Sequence, residues 1–344
     1  MTEETKIEKV TETELKLVFA DVLRGYTKID GEKLDSENDF YIKHLSIFDN
    51  IRTDQDYEEA LKKAKKSDLP TEKKQLEYLN RDKIWTQEEE SELAQLKSYI
   101  SNLGETKSKM FLKSQIDVIK KDIDNASIKL LNLENQKAQY MGLTAEKYAM
   151  KKANETYIQQ GVYKDQDFKE LAVGDEEFND LTDEKLSELT QAYNESSRNI
   201  TLENLKKTAL MPFFCNYYYL CDDNPQVFYG KPVVGLTFFQ AELFAYGRYF
   251  KNLAQDSKAS PPDEIRNDPD KLVEFYEMRK VADETMDKID QKVGDKGGAT
   301  SLVGATKEDL EAIGYKGGDT VSLSELAKKK GGSLSMDDFM EIHS

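Results

Sequence analysis

The fold is decided by residues 112–140, which read LKSQIDVIKKDIDNASIKLLNLENQKAQY. Apolar residues recur there at alternating spacings of four and three, a rhythm that places them on one face of a helix. The positions are Leu112, Ile116, Ile119, Ile123, Ala126, Leu130, Leu133 and Tyr140, with Lys137 in the one remaining place. A long helix with so narrow an apolar stripe is not stable alone in water, so this pattern predicts a partner helix.

Two neighbouring segments can supply that partner. Thr86 and Glu89 form a capping-box pattern that begins a helix on the N-terminal side, which we expect Gly104 to interrupt. On the C-terminal side, Gly142 fits a helix C-cap and Thr144 begins another helix. Residues 71–160 are therefore predicted to form an antiparallel coiled-coil helical hairpin, built with either neighbour.

Residues 1–70 are predicted to form a small N-terminal module, a β-hairpin followed by a helix. Apolar and polar residues alternate around Leu15–Ala20 and again over Phe40–Leu45, with turn residues between them. An amphipathic helix over Glu12–Leu23 is the alternative for the first stretch. Thr53 is the predicted N-cap of the helix that completes the module.

Residues 161–292 are predicted to form an aromatic-rich helical domain, because residues 209–253 hold 13 aromatic residues among 45. Thr182 and Thr201 are predicted N-caps, and Thr237 with Gln240 forms a second capping box. Burial of each ring contributes about 2 kcal/mol, so the aromatic residues are expected to form a core. The residues expected in it are Phe213, Phe214, Phe238, Phe239, Leu243 and Phe244.

Residues 293–344 contain repeated glycines and are predicted to be a flexible tail with short helical motifs. The chain as a whole is thus expected to be mainly α, with a minor β element near the N-terminus.

Composition excludes several classes of protein. The chain has 344 residues, of which 49 are basic and 66 acidic, and its net charge of −17 disfavours binding to nucleic acid. It has no apolar run of the ~18 residues that a membrane helix requires, and no signal-peptide pattern at the N-terminus. Its two cysteines fit a reducing compartment, so we expect a cytoplasmic protein without membrane contact.

Residues that could carry chemistry do not fall into a known catalytic or metal-binding pattern. His44 has no nucleophile motif nearby, and Cys215 and Cys221 are too far apart in sequence for a zinc pair. Asp222–Asn224 lacks the ligand spacing of a calcium loop and fits a turn before Pro225. We therefore predict no catalytic residue, metal or cofactor. Gly230–Gly235 is interpreted as a rigid elbow or, alternatively, a docking loop.

Exposed tyrosines are the best candidates for a functional surface. Tyr217–Tyr219 cannot all face one side of a helix, and an exposed tyrosine gives a large contact area for little loss of rotamer entropy. The predicted interface residues are Tyr217, Tyr218, Tyr219, Tyr246, Arg248 and Tyr249, with Met336, Phe339 and Met340 in the tail.

The order of these parts resembles uncharacterised tail or baseplate assembly proteins of large tailed bacteriophages. The resemblance rests on Phe40–Leu45, Leu69–Glu72, Trp85–Glu88, Tyr219–Pro225, Phe228–Pro232 and Met336–Met340. It implies a chaperone or virion component in the host cytoplasm or the virion, without a cofactor, that forms homo- or hetero-oligomers with phage structural proteins.

The expected function is therefore that of a non-enzymatic structural or assembly protein acting through protein–protein contacts. The main alternative is an enzyme whose carboxylates, Asp222, Asp223 and Glu242, lie in the aromatic domain. A nucleic-acid adaptor is a further alternative, since Lys62–Lys66 and Lys328–Lys330 are short basic runs.

Overall fold

The computed structural model of the chain describes residues 10–34, 39–178, 180–256 and 260–293. Across these residues the protein is mainly helical, as predicted, with one small antiparallel sheet. The elements are α1 (Glu12–Arg24), β1 (Tyr26–Ile29), β2 (Phe40–Lys43), α2 (Ile47–Lys66), α3 (Glu72–Arg81), α4 (Gln87–Ser108), α5 (Lys113–Met141), α6 (Ala145–Gly161), β3 (Val162–Tyr163), α7 (Asp175–Phe178), α8 (Asp183–Arg198), α9 (Leu202–Leu210), α10 (Pro212–Tyr218), α11 (Pro225–Tyr229), α12 (Phe238–Asp256) and α13 (Pro269–Val293). The predicted tail from residue 294 onward lies outside the described residues.

The chain divides into two compact units. The first comprises Met1–Asp82, Met141–Asp256 and Pro262–Pro269, and the second comprises Lys83–Tyr140, Ser257–Pro261 and Asp270–Ser344. Both units are discontinuous in sequence. The four predicted domains remain a prediction.

The first predicted strand is wrong, since the segment forms α1. Its buried residues are Leu15, Val18, Phe19 and Val22, which follow helical spacing, whereas Leu17 is 62% exposed. A capping box between Thr11 and Glu14 begins the helix, and Gly25 ends it in the left-handed conformation.

The sheet has the order β1-β2-β3, with both pairs antiparallel. Tyr26 pairs with Lys43 and Ile29 with Phe40, so the second predicted strand is confirmed with a different partner. One face of the sheet packs on α8. Its core consists of Ile29, Phe40, Ile42, Val162, Val173, Leu189 and Ala192.

Helix α2 begins earlier than predicted. Its capping box joins Ser46 and Asp49, whereas Thr53 lies inside the helix and donates a hydrogen bond to the Asp49 carbonyl. The buried residues of α2 are Ala60 and Ala64, and those of α6 include Ala145, Ala149 and Ala153. These small side chains let the two helix backbones approach closely, so α6 packs on α2.

Aromatic rings from α1, α10, α11 and α12 form the predicted aromatic core. Phe214 stacks on Tyr218 with ring centroids 5.4 Å apart, and Tyr218 contacts Phe244 at 5.0 Å. Phe19 of α1 meets Phe214 edge to face. Phe238 was expected in this core but is 44% exposed, because it stands at the first position of α12.

The second unit contains α4, α5 and most of α13. Gly104 does not interrupt α4, which continues to Ser108. Lys137 binds Glu90 at 2.6 Å and Lys97 binds Glu134 at 2.8 Å, so the first half of α4 is joined to the C-terminal end of α5. Lys120 of α5 forms an ion pair with Glu274 of α13. Coiled-coil packing of the α4–α5 hairpin remains a prediction.

Candidate functional site

The predicted tyrosines divide between core and surface. Tyr218 is only 2% exposed, whereas Tyr217 is 63% and Tyr219 is 59% exposed. Tyr249 is 42% exposed, and Tyr246 is half-buried. Met336, Phe339 and Met340 lie outside the described residues. The tyrosine triplet thus combines one buried ring with two rings that face solvent.

The turn after α10 is built from two consecutive aspartates in an uncommon backbone conformation. Asp222 and Asp223 have φ angles of 49° and 56°, in the left-handed region that aspartate tolerates better than most residues. The side chain of Asn224 then accepts hydrogen bonds from the backbone N–H groups of Gln226 and Val227. The predicted turn before Pro225 is therefore confirmed as the N-cap of α11.

Asp223 fixes this turn to the aromatic core. The Tyr218 hydroxyl donates to Asp223 Oδ1 at 2.7 Å, and Lys251 Nζ contacts Oδ2 at 2.7 Å. Lys251 and Tyr218 hold the pKa of the Asp223 carboxyl below its ordinary value. Burial, reinforced by the Asp223 bond, raises the pKa of Tyr218, which therefore stays a hydrogen-bond donor at neutral pH.

The anchored turn presents apolar side chains to solvent. Leu220 is 82% exposed and Val227 is 64% exposed, in the same short segment as Tyr217 and Tyr219. We call these four residues the tyrosine-turn surface. Leu220 and Val227 were not among the predicted interface residues, because no sequence pattern indicated the left-handed turn at Asp222 and Asp223 that lies between them.

The remaining predicted interface residues mainly support the core. Arg248 lies over the Phe244 ring at 5.8 Å from its centroid and acts electrostatically on both Tyr218 and Asp223. The Tyr246 hydroxyl lies 3.5 Å from Glu242 Oε1, and Tyr249 packs against Phe250 with centroids 5.5 Å apart. Arg248 thus packs on the aromatic core, and its positive charge favours the ionised form of the Asp223 carboxyl.

A second polar cluster surrounds His44, which is 4% exposed. Its Nε2 shares a hydrogen bond of 2.9 Å with Thr27 Oγ1, and Thr27 also bonds the carboxyl of Asp21. The buried Nδ1 has no hydrogen-bond partner among the described residues. Burial, with the nearby Lys231 ammonium, lowers the pKa of His44 to about 4, so the ring is neutral at pH 7. No sequence motif indicated this cluster.

A groove of about 710 Å³ lies between α6 and α8. Tyr157 and Tyr193 meet edge to face on its floor, and Lys147 and Lys151 stand among its lining residues. The groove is open to solvent and carries no converging acidic groups.

The part of the chain that the structure describes offers no site for metal binding and no reactive thiol. These residues contain no group of three or more His, Cys, Asp or Glu side chains able to hold a metal ion. Burial raises the pKa of both cysteine thiols, Cys215 and Cys221, which makes the reactive thiolate scarce at neutral pH. Of the helices in this part, none is long and apolar enough to cross a membrane.

Comparison of the chain with protein-family models, curated proteins and solved structures finds no match.

Proposed function

We propose that this chain is a non-enzymatic assembly protein that binds other proteins through the tyrosine-turn surface. The observation that carries the proposal is the high exposure of Tyr217, Tyr219 and Leu220, at 63%, 59% and 82%, on an anchored turn. Soluble proteins rarely group large apolar side chains at the surface unless they meet a partner there.

Preorganisation supports the proposal. The Asp223 bonds to Tyr218 and Lys251 hold the turn in one conformation before any partner arrives. Binding of a partner therefore costs little conformational entropy in the turn, because the turn is already ordered. Tyrosines on a rigid turn are also the type of residue that dominates interface energies.

The Asp223 carboxylate does not support the enzymatic alternative. Acid–base catalysis near pH 7 favours a carboxyl with a raised pKa, whereas that of Asp223 is lowered by Lys251 and Tyr218. The basic runs that would favour a nucleic-acid adaptor are short in a chain of net charge −17. The resemblance to tailed-phage proteins makes virion assembly, as chaperone or component, the setting in which we would test the chain.

Affinity purification from the native source with quantitative mass spectrometry tests the proposal. The baits are the wild type, a Tyr219→Ser/Leu220→Ser variant and a control, Tyr78→Ser/Ile84→Ser. The control removes two apolar side chains that are 46% and 48% exposed elsewhere. We expect one set of partners to bind the wild type and the control but not the tyrosine-turn variant.

Calorimetry with the purified partner then gives the size of the effect. We expect the tyrosine-turn variant to lose at least about tenfold in affinity, since truncation of a central interface residue typically costs more than about 1 kcal/mol. Equal affinity of all three proteins for every recovered partner would refute the proposal.

A further inference from the structure

A second apolar surface is formed where α2 and the segment before α12 meet. Ser46 and Thr237 form an antiparallel bridge, and the Phe238 N–H donates to the Leu45 carbonyl at 3.0 Å. Because the bridge is antiparallel, the first turn of α2 lies beside the residues that precede Thr237. The Gly230–Gly235 segment, which the sequence analysis interpreted as either an elbow or a docking loop, ends two residues before this bridge.

Five large apolar side chains in these two segments face solvent. Ile47, Phe48 and Ile51 of α2 are 46%, 61% and 50% exposed. Val233 and Val234 are 52% and 61% exposed. We call these five residues the α2 surface. The opposite face of α2 is already occupied, because Ala60 and Ala64 are buried against α6.

Both segments of the α2 surface are held in place from behind. The Asp49 side chain accepts hydrogen bonds from the Ser46 N–H and from Lys43 Nζ, each at 2.8 Å, which fixes the start of α2.

In the segment before α12, the Leu236 N–H donates to the Val233 carbonyl at 3.1 Å. The Gln240 side chain accepts from the Thr237 N–H and donates to the Val22 carbonyl at 2.8 Å. The surface is therefore preformed.

The charge along the exposed face of α2 indicates the chemistry of its partner. Ile47, Ile51, Asp54 and Glu58 follow one another at spacings of four, three and four, so they share one face, and all four are exposed. This face is apolar at its start and acidic further along, while the exposed Arg52 lies beside it, one turn after Phe48. Lys62 follows one turn after Glu58, which limits the acidic stretch to about one turn and a half.

We propose that the α2 surface binds a basic amphipathic helix of another protein. The apolar stripe of that helix covers Ile47, Phe48 and Ile51, and its lysines or arginines lie opposite Asp54 and Glu58. Helices commonly dock in this way on preformed apolar surfaces. The net charge of −17 makes two copies of the chain repel each other, whereas it attracts a basic partner to the chain. The proposal is independent of the tyrosine-turn surface.

Synthetic peptides test the partner chemistry directly. The probe is an 18-residue helical peptide with a leucine stripe flanked by lysines. In the first control peptide, glutamates replace the lysines. In the second, the sequence is scrambled, so that the net charge is kept but the leucine stripe is lost. Fluorescence anisotropy at 150 mM salt should show the wild-type chain binding the probe at least tenfold more tightly than either control peptide.

Matched variants locate the binding site. Phe48→Ser/Ile51→Ser and Asp54→Lys/Glu58→Lys should each weaken probe binding at least tenfold. Leu17→Ser, at a side chain that is 62% exposed on α1, and Glu92→Lys/Glu277→Lys, with the same change in net charge, should leave it within twofold. All changes are at exposed side chains, and circular dichroism checks that each variant is folded.

Three results would overturn the proposal. The first is equal binding of the probe to the α2 variants and to their controls. The second is tighter binding of the glutamate peptide than of the lysine peptide. The third is a wild-type dimer in sedimentation equilibrium that Phe48→Ser/Ile51→Ser converts to a monomer, because a second copy would then occupy the surface.

Discussion

At the scale of single residues, His44 is held as a neutral ring inside the first unit. It is 4% exposed, and the Phe239 ring meets it edge to face at 5.1 Å. Lys231 opposes its protonation, while Thr27 connects it to Asp21, whose own pKa is raised by burial. Protonation of the imidazole would place a second cation beside Lys231 in a region poor in water.

This arrangement predicts a specific pH dependence of stability. The ordinary His pKa is 6.5 and that of folded His44 is about 4, so between these values the unfolded chain binds a proton that the folded chain does not. Stability therefore falls as pH decreases from 6.5 to 4, by about 3 kcal/mol in total from this residue. His44→Gln removes this contribution.

Urea unfolding followed by circular dichroism at pH 7 and at pH 4 measures the effect. The advantage of the wild type over His44→Gln in free energy of unfolding should shrink by about 3 kcal/mol on acidification. Carboxylates titrate in both proteins and largely cancel in the difference. A difference that stays constant with pH would show that His44 is not held neutral in the folded state.

At the scale of elements, α12 packs tightly against rings of α10 at Gly247. A Cβ on Gly247 would lie 2.9 Å from two ring atoms of Phe214 and 3.0 Å from Tyr218. Both rings are buried and stacked, so they cannot move aside freely. Gly247→Ala should gain up to about 1 kcal/mol of helix propensity but lose more to overpacking. We expect net destabilisation of about 1–2 kcal/mol in urea unfolding.

Gly104 supplies the matched control, since it is also a glycine inside a helix. Nothing lies within 4 Å of a Cβ built on it. Gly104→Ala should therefore stabilise α4 by about 0.5–1 kcal/mol. If both alanine variants shift stability in the same direction, close packing is not the reason for Gly247.

The start signals of several helices could be predicted because they depend on residues three apart. Thr86 and Thr237 were identified from their capping boxes with Glu89 and Gln240, whereas Thr182 and Thr201 were identified as N-caps from their residue type alone. Ser46 was missed in favour of Thr53, since both precede helix-forming residues and only tertiary contacts distinguish them. The bond from Gln240 to Val22 joins residues 218 positions apart, so no local pattern reveals it.

Periodicity was reliable where a helix is long and unreliable where it is short. The spacing along α5 was recognised, and Leu112, Ile116, Ile119 and Ala126 of that stripe are buried. In α1, alternation over the six residues Leu15–Ala20 suggested a strand because Leu17 was counted as a core residue. For the tyrosine-turn surface, the sequence identified Tyr217 and Tyr219 but not Leu220, whose exposure depends on the left-handed turn that follows it.

At the scale of the whole molecule, the single tryptophan provides a reporter for one of the two units. Trp85 belongs to the second unit, is 2% exposed, and its indole N–H donates to Glu90 Oε1 at 2.6 Å. Tryptophan fluorescence should therefore follow unfolding of the second unit, whereas the near-ultraviolet dichroism of the tyrosines in the aromatic core follows the first.

Gly247→Ala in the first unit should shift the tyrosine transition in urea and leave the Trp85 transition within about 0.3 kcal/mol of wild type. Gly104→Ala in the second unit should do the reverse. Identical shifts of both signals in either variant would mean that the two units unfold as one cooperative body.

The packing of α2 on α6 has a consequence during synthesis on the ribosome. Residue 66, the last of α2, is made 95 residues before residue 161, the last of α6. At about 5–20 residues per second, the alanine face of α2 waits roughly 5–20 s for its cover. For that interval the face of α2 that carries Ala60 and Ala64 has no partner helix, and a faster translation rate would shorten the interval.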